Sequence, residues 1–168
     1  MKIDIRSRSQ AAVHIVLLAA LVFSSLLLPV RATAALGGDE ASVETDRQQM
    51  RAARAVRPND TKYTVHELTT PYGTTVREYV SPDGKVFGVA WRGPFLPDFQ
   101  QLLGDSFATF MQAAQSARNG QVRRSRNAPL TVEQPDLVVH SGGHVRAYVG
   151  HAYIPGMIPQ GVSAADIK

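Results

Sequence analysis

Four histidines lie beyond the N-terminal segment, His66, His140, His144 and His151, and imidazole is the usual base or metal ligand near neutral pH. His140 and His144 flank Ser141-Gly142-Gly143, a spacing that invites a metal site or a Ser–His pair. A two-residue turn at Gly142-Gly143 sets Ser141 opposite His144 and His140 opposite Val145, so the two imidazoles point to opposite faces of the ribbon. A three-residue loop would bring them to one face. On the two-residue geometry no metal and no cofactor is expected. His151 lies six residues beyond Val145, about 20 Å along a strand. For nucleophilic catalysis there is no G-x-S-x-G elbow and no Ser-x-x-Lys, and Asp136 is the one nearby carboxylate that could orient an imidazole.

Glycoside cleavage needs two carboxylates across a cleft. Glu67 and Glu78 fall on neighbouring expected strands and read as solvated edge charges. Gly37-Gly38 follows no strand and Gly142-Gly143 reads as a turn, so neither makes a phosphate loop. With no cysteine, disulfides, thiolate metal sites and a Cys nucleophile are excluded. Arg118, Arg123, Arg124 and Arg126 cluster in a polar loop that suits an anionic surface or an acidic partner, or simply a solvated linker. No aromatic residue is interleaved there for base stacking, and no nucleic acid is expected. Tyr79, Phe87, Trp91 and Phe95 form an aromatic group suited to a core under a helix or to a ligand surface. The candidate binding surface is Arg77, Tyr79, Trp91, His144 and Arg146, with Arg77 near enough to Trp91 to stack on its indole.

These side chains need a scaffold. Asp39 can cap a helix running to about Val56, acidic early and basic late, with sparse apolar positions. Lys62–Leu68, Thr74–Val80 and Lys85–Trp91 read as a three-stranded meander. A three-residue loop at Pro82-Asp83-Gly84 pairs Tyr79 with Phe87, Arg77 with Val89 and Thr75 with Trp91 on one face. Val80/Val86, Glu78/Gly88 and Val76/Ala90 then share the other face. The third strand is apolar on both faces, so it should be central and covered on both sides. A helix over about Asp98–Arg118 carries a stripe of Phe99, Leu102, Leu103, Phe107, Phe110, Met111 and Ala114, with Gly104 as a point of bending or splitting. That stripe is expected against Tyr79, Phe87 and Val89. Leu137–Ser141 and His144–Tyr153 make a second hairpin, and the tail ends in a short turn near Ser163–Ile167.

The 168 residues allow one domain and hardly two. The net charge of +4 is uneven: Lys2, Arg6, Arg8 and Arg31 against Asp4 leave +3 in residues 1–34, and the rest of the chain carries +1. A basic start, an apolar run over Ala11–Val30 and small residues in Ala32-Thr33-Ala34 make a secretory signal peptide, cut between Ala34 and Ala35. The alternative is an uncleaved anchor in the inner membrane, since the apolar run can just span a bilayer. Without cysteine, packing alone must hold the exported fold, and a chain of this size has enough buried surface for one core.

The run Ala34-Ala-Leu-Gly-Gly-Asp39 is followed by Tyr63-Thr-Val-His-Glu-Leu68, Val76-Arg-Glu-Tyr-Val80, and Gly84-Lys-Val-Phe-Gly-Val-Ala-Trp91 with Gly93-Pro-Phe-Leu-Pro-Asp98. Gln134-Pro-Asp-Leu-Val-Val139 and Ser141-Gly-Gly-His144 complete the set. Together these resemble a family of small exported bacterial proteins catalogued as a domain of unknown function. The resemblance implies export and a single domain, and it supplies no activity, cofactor or catalytic residue.

The expected fold is α+β: an antiparallel sheet of about five strands, a meander plus a C-terminal hairpin, on one long helix with a weaker N-terminal helix. Residues 1–34 are the signal peptide and 35–168 the exported domain, with 35–61 as helix and linker and 62–168 as core. The expected function is a non-catalytic binding or accessory module of the cell envelope, periplasmic or secreted, with an envelope protein as partner and membrane contact only through an uncleaved signal segment. The alternative is a small hydrolase-like enzyme using His140 or His144 with Ser141.

Overall fold

A computed structural model describes residues 36–59, 62–119 and 129–168. The expected signal segment, its cut at Ala34/Ala35 and most of the arginine-rich loop lie outside them. Seven strands form one antiparallel sheet: β1 (Ala53–Asn59), β2 (Tyr63–Thr69), β3 (Thr75–Val80), β4 (Val86–Gly93), β5 (Leu130–Gln134), β6 (Leu137–His144) and β7 (Ala147–Tyr153). Their order is β1-β2-β3-β4-β7-β6-β5. Two meanders therefore join where β4 pairs β7. β4 is the middle strand, and every residue from Val86 to Trp91 is buried, as its apolar run on both faces requires.

Helices cover one face: α1 (Glu40–Gln49), α2 (Phe99–Leu103) and α3 (Phe107–Asn119), the last two joined by a 3-10 turn over Gly104–Ser106. Asp98 caps α2 by accepting from the amides of Gln100 and Gln101. Gly104 splits the expected single helix in a conformation, φ 51°, that favours glycine. Under these helices lies the main core, with Leu68, Val76, Val89, Trp91, Val132, Leu137 and Val139 from the sheet and Val43, Leu102, Leu103 and Phe110 from the helices. The C-terminal tail covers part of the opposite face. Ile167, 1% exposed, packs with Tyr79, Phe87 and Ala90, and Met157, Ile158 and Val162 pack around them. Tyr79 Oη donates to the Lys168 main-chain oxygen at 2.8 Å, as does Arg77 Nη1.

The expected five-stranded sheet is corrected to seven strands. β1 was expected as the end of the first helix, but the helix stops at Gln49, and Arg51 turns the chain with φ 50° into a strand paired to β2 along its length. Helix propensity in Ala-Arg-Ala loses there to tertiary hydrogen bonding. β5 is the other addition, an edge strand on β6.

The β3–β4 register also differs. Val80 faces Val86 as expected, but Tyr79 then faces Gly88, so Phe87 is an extra residue and the rest of the ladder shifts. Trp91 consequently faces Val76 on the helix side, while Arg77 and Tyr79 lie on the tail side with Ala90. The helix stripe therefore meets Val89 and Trp91, and not Tyr79 and Phe87.

Candidate functional site

A ring of polar groups is closed inside the main core beneath α1. Strand pairing sets His66 on β2 directly against Glu78 on β3, and alternation turns both toward the helices, with Leu68, Val76 and Val80. Asp46 on α1 comes down on Glu78, and Ser42 is buried on the same helix. His66, Glu78 and Asp46 are each no more than 1% exposed. Gln101 Nε2 donates to Asp46 Oδ1 at 2.7 Å, tying α2 to α1. Arg54 on β1 donates through Nε to His66 Nδ1 at 3.1 Å, which leaves the ring proton on Nε2. That nitrogen lies 3.1 Å from Glu40 Oε1.

Burial, and then the Asp46 carboxylate beside it, push the Glu78 carboxyl up to about 8, against the pull of Arg54. Burial and the Arg54 charge lower the His66 imidazole, against Glu40. At neutral pH both Glu78 and His66 are held uncharged. The ring's centre, His66, Glu78 and Asp46, is kept from solvent while Glu40 and Arg54 reach the surface, so its chemistry is that of a proton-linked lock between helix and sheet.

The expectation for Glu67 and Glu78 as solvated edge charges is half corrected. Glu67 is partly buried and bridges Arg57 and Arg77, while Glu78 is sealed. The Val76-Arg-Glu-Tyr-Val80 alternation held the signal, since a carboxyl between two inward valines must point inward with them.

On the face away from the helices, β6 and β7 carry a second constellation. His140 pairs His151 across the ladder, and their rings stack at 5.0 Å between centroids and 18° between planes. Tyr153 stacks on the other side of His151 at 6.2 Å. Glu133 Oε1 on β5 is 3.6 Å from His140 Nε2. Burial, and then His140, lower the His151 imidazole.

The Gly142-Gly143 turn is corrected. β6 runs through both glycines to His144, and the turn falls at Val145-Arg146, where Arg146 has φ 68°. Gly143 serves a close approach instead: a Cβ there would run into the Ala147 carbonyl. On one strand at a spacing of four, His140 and His144 share a face, contrary to the two-residue turn, and Ser141 points to the other face. The Ser–His pair of the hydrolase alternative is thereby taken apart.

The expected binding surface is not assembled. Arg77 and Tyr79 hold the tail; Trp91, 2% exposed, is core and packs on Phe99 at 5.1 Å; His144 and Arg146 sit exposed beside the β6–β7 turn. Arg77 cannot stack on Trp91 across the sheet. Of the aromatic group, Phe95 alone is open, 54% exposed, and it meets Tyr72, 75% exposed, edge to face at 6.0 Å. Leu96 beside them is 48% exposed. The buried Thr74 fixes this cluster: its Oγ1 donates to the Phe95 carbonyl at 2.9 Å and accepts from the Phe95 amide at 3.2 Å.

A cleft of about 420 Å³ lies between α3 and β5, and Glu133 is the one titratable residue along its lining among the described residues. No described helix is long and apolar enough to cross a membrane.

No curated protein and no solved structure matches the chain. A family model does, over residues 32–167, which takes in all seven strands, both polar constellations and the exposed aromatic cluster. The chain belongs to the family described as "Protein of unknown function (DUF2844)".

Proposed function

We propose that the protein is an exported, non-catalytic binding module of the bacterial cell envelope, and that Tyr72, Phe95 and Leu96 are its contact with a protein partner. The observation that carries this reading is the edge-to-face pair of Tyr72 and Phe95, open to solvent yet held in place by Thr74. Large exposed apolar groups in a cluster mark interaction surfaces, and rigid aromatic side chains anchor protein interfaces at little entropic cost. Export is supported by the basic start, the apolar run and Ala32-Thr33-Ala34. A non-catalytic role is supported by the sealed His66–Glu78 ring and by the opposite facing of Ser141 and its neighbouring histidines.

The test has two arms. Protein recovered from the periplasm should have the intact mass of a chain starting at Ala35, whereas a mass retaining Met1–Ala34 in the membrane fraction replaces cleavage with the anchor. Crosslinking in envelope extract should give a discrete adduct that Tyr72→Ser with Phe95→Ser removes while the urea midpoint stays near wild type. An adduct that survives the double substitution sinks this contact.

A further inference from the structure

We propose that the free edge of β5 pairs with the same edge of a second copy of this chain, antiparallel, about a two-fold axis at Val132. The sheet ends in β1 on one side and β5 on the other. β1 carries Pro58, which has no N–H to offer a further strand. β5 has β6 on one side and, among the described residues, no strand on the other. Gln134 faces Leu137 across the two-residue turn Pro135-Asp136. Residues flanking such a turn bond each other, and bonding alternates along an antiparallel pair. Leu130, Val132 and Gln134 therefore spend their main-chain groups on β6, while Thr131 and Glu133 each turn an N–H and a C=O outward. An edge of this kind is a template for another strand.

The register selects a second copy. With the axis at Val132, Thr131 of each chain meets Glu133 of the other, and each such pair exchanges both N–H···O bonds. An axis at Glu133 would set two carboxylates directly opposite each other. An axis at Thr131 would set Glu133 against Pro129, which has no N–H. Val132, 3% exposed, meets its own mate on the helix side. The cleft between α3 and β5 is the room for this added strand. Thr131, Val132, Glu133 and Gln134 line it in succession, which alternating side chains allow only along the edge of a strand. The α3 wall, with Ala113, Ser116 and Ala117, carries no charged side chain among the described residues. The second Val132 therefore enters without stripping water from a charge. A ladder of five residues is small beside a permanent interface, which makes the dimer reversible. It forms with or without a protein on the Tyr72–Phe95 cluster, which lies outside β5.

The test is sedimentation of the purified, tag-free protein from roughly 10 µM to 1 mM, the range of a weak interface, paired with amide hydrogen exchange. The expected result is a dimer whose fraction rises with concentration, with the Thr131 and Glu133 amides slowing as it does. Thr131 is exposed, so its substitutions leave the fold intact, and circular dichroism checks this. Thr131→Glu sets like charges opposite each other in both pairs and should weaken association roughly fivefold. Thr131→Lys sets a cation opposite Glu133 and should tighten it by a similar factor. A loss of strand structure would move both variants the same way, so the opposite signs belong to the pairing alone. Tyr72→Ser with Phe95→Ser should leave the dimer unchanged, which separates this edge from the aromatic contact. A protein that stays monomeric at 1 mM, or a dimer that folded Thr131→Glu leaves as tight as wild type, overturns the pairing. A dimer lost with Tyr72 and Phe95 overturns it too and gives the association to that cluster.

Discussion

Asp46 on α1 and Glu78 on β3 meet carboxyl to carboxyl in the main core, neither with any exposure to solvent. With both ionised, neither Glu78 oxygen has a hydrogen-bond donor, so the arrangement holds when Glu78 keeps its proton and donates it to Asp46. Gln101 also donates to Asp46. The first helix is thus fixed to the sheet by a proton as well as by Val43.

Stability should therefore depend on pH through Glu78. Its folded value of about 8 lies above its ordinary value of 4.5. The folded state holds a proton that the unfolded chain has released, so its contribution is full below 4.5 and is lost as pH rises through about 8. The limiting slope is about 1.4 kcal/mol per pH unit. His66 and His151 act oppositely: their lowered values mean stability is lost as pH falls below 6.5. Between pH 6.5 and 8 Glu78 acts alone among these three groups. The urea midpoint should fall across that window, and Glu78→Gln, which keeps a donor toward Asp46, should flatten it and match or exceed wild type at pH 8.5. Parallel profiles for the two proteins would remove the shared proton.

How much of this was legible in the sequence varies with the residue. The apolar run Val86–Trp91 announced a central strand buried on both sides, and the turn at Ser81–Gly84 was visible. The bulge at Phe87 was not, and one extra residue moved Trp91 to the face opposite Tyr79. Gly142-Gly143 looks like a hairpin turn, yet Gly143 serves a close backbone approach, and nothing local separates the two uses. Ala53–Val56 has helical composition and becomes a strand only because β2 offers its edge. Cross-strand partnerships such as His140 with His151 depend on register, which side-chain chemistry alone left open.

The helix stripe yields a second prediction. Phe110 is 4% exposed and touches Phe99 at 5.5 Å between rings, whereas Phe107 is half-buried at the margin. Truncating a fully buried Phe costs about 3–5 kcal/mol, a large share of a small domain's stability. Phe110→Ala should lower the urea midpoint sharply, Phe107→Ala by roughly half as much, and the exposed Gln112→Ala barely. Equal losses for the two phenylalanines would place the stripe differently on the sheet.

The tail yields the last prediction. Ile167 fills the space that Gly88 leaves: a Cβ on Gly88 would stand 2.8 Å from Ile167 Cδ1, inside contact distance. The segment is further held by Tyr79 Oη and Arg77 on the Lys168 main-chain oxygen, and by a capping box in which the Ser163 hydroxyl accepts from the Ala165 amide while Asp166 accepts from the Ser163 amide. Removing the Ile167 side chain opens a cavity against Tyr79 and Phe87, worth about 2–5 kcal/mol if the tail stays. A terminal segment can instead let go, which caps the loss at the free energy of local opening. Ile167→Ala and Gly88→Ala should therefore both expose Ile158–Lys168 to limited proteolysis before global unfolding. Tyr79→Phe, losing one hydrogen bond worth about 0.5–1.5 kcal/mol, should do so more weakly. The main core under the helices is separate, so the urea midpoint should fall less for these three than for Phe110→Ala. If Ile167→Ala unfolds the whole domain with no earlier cleavage of the tail, the two faces form one cooperative unit and the tail is part of the core.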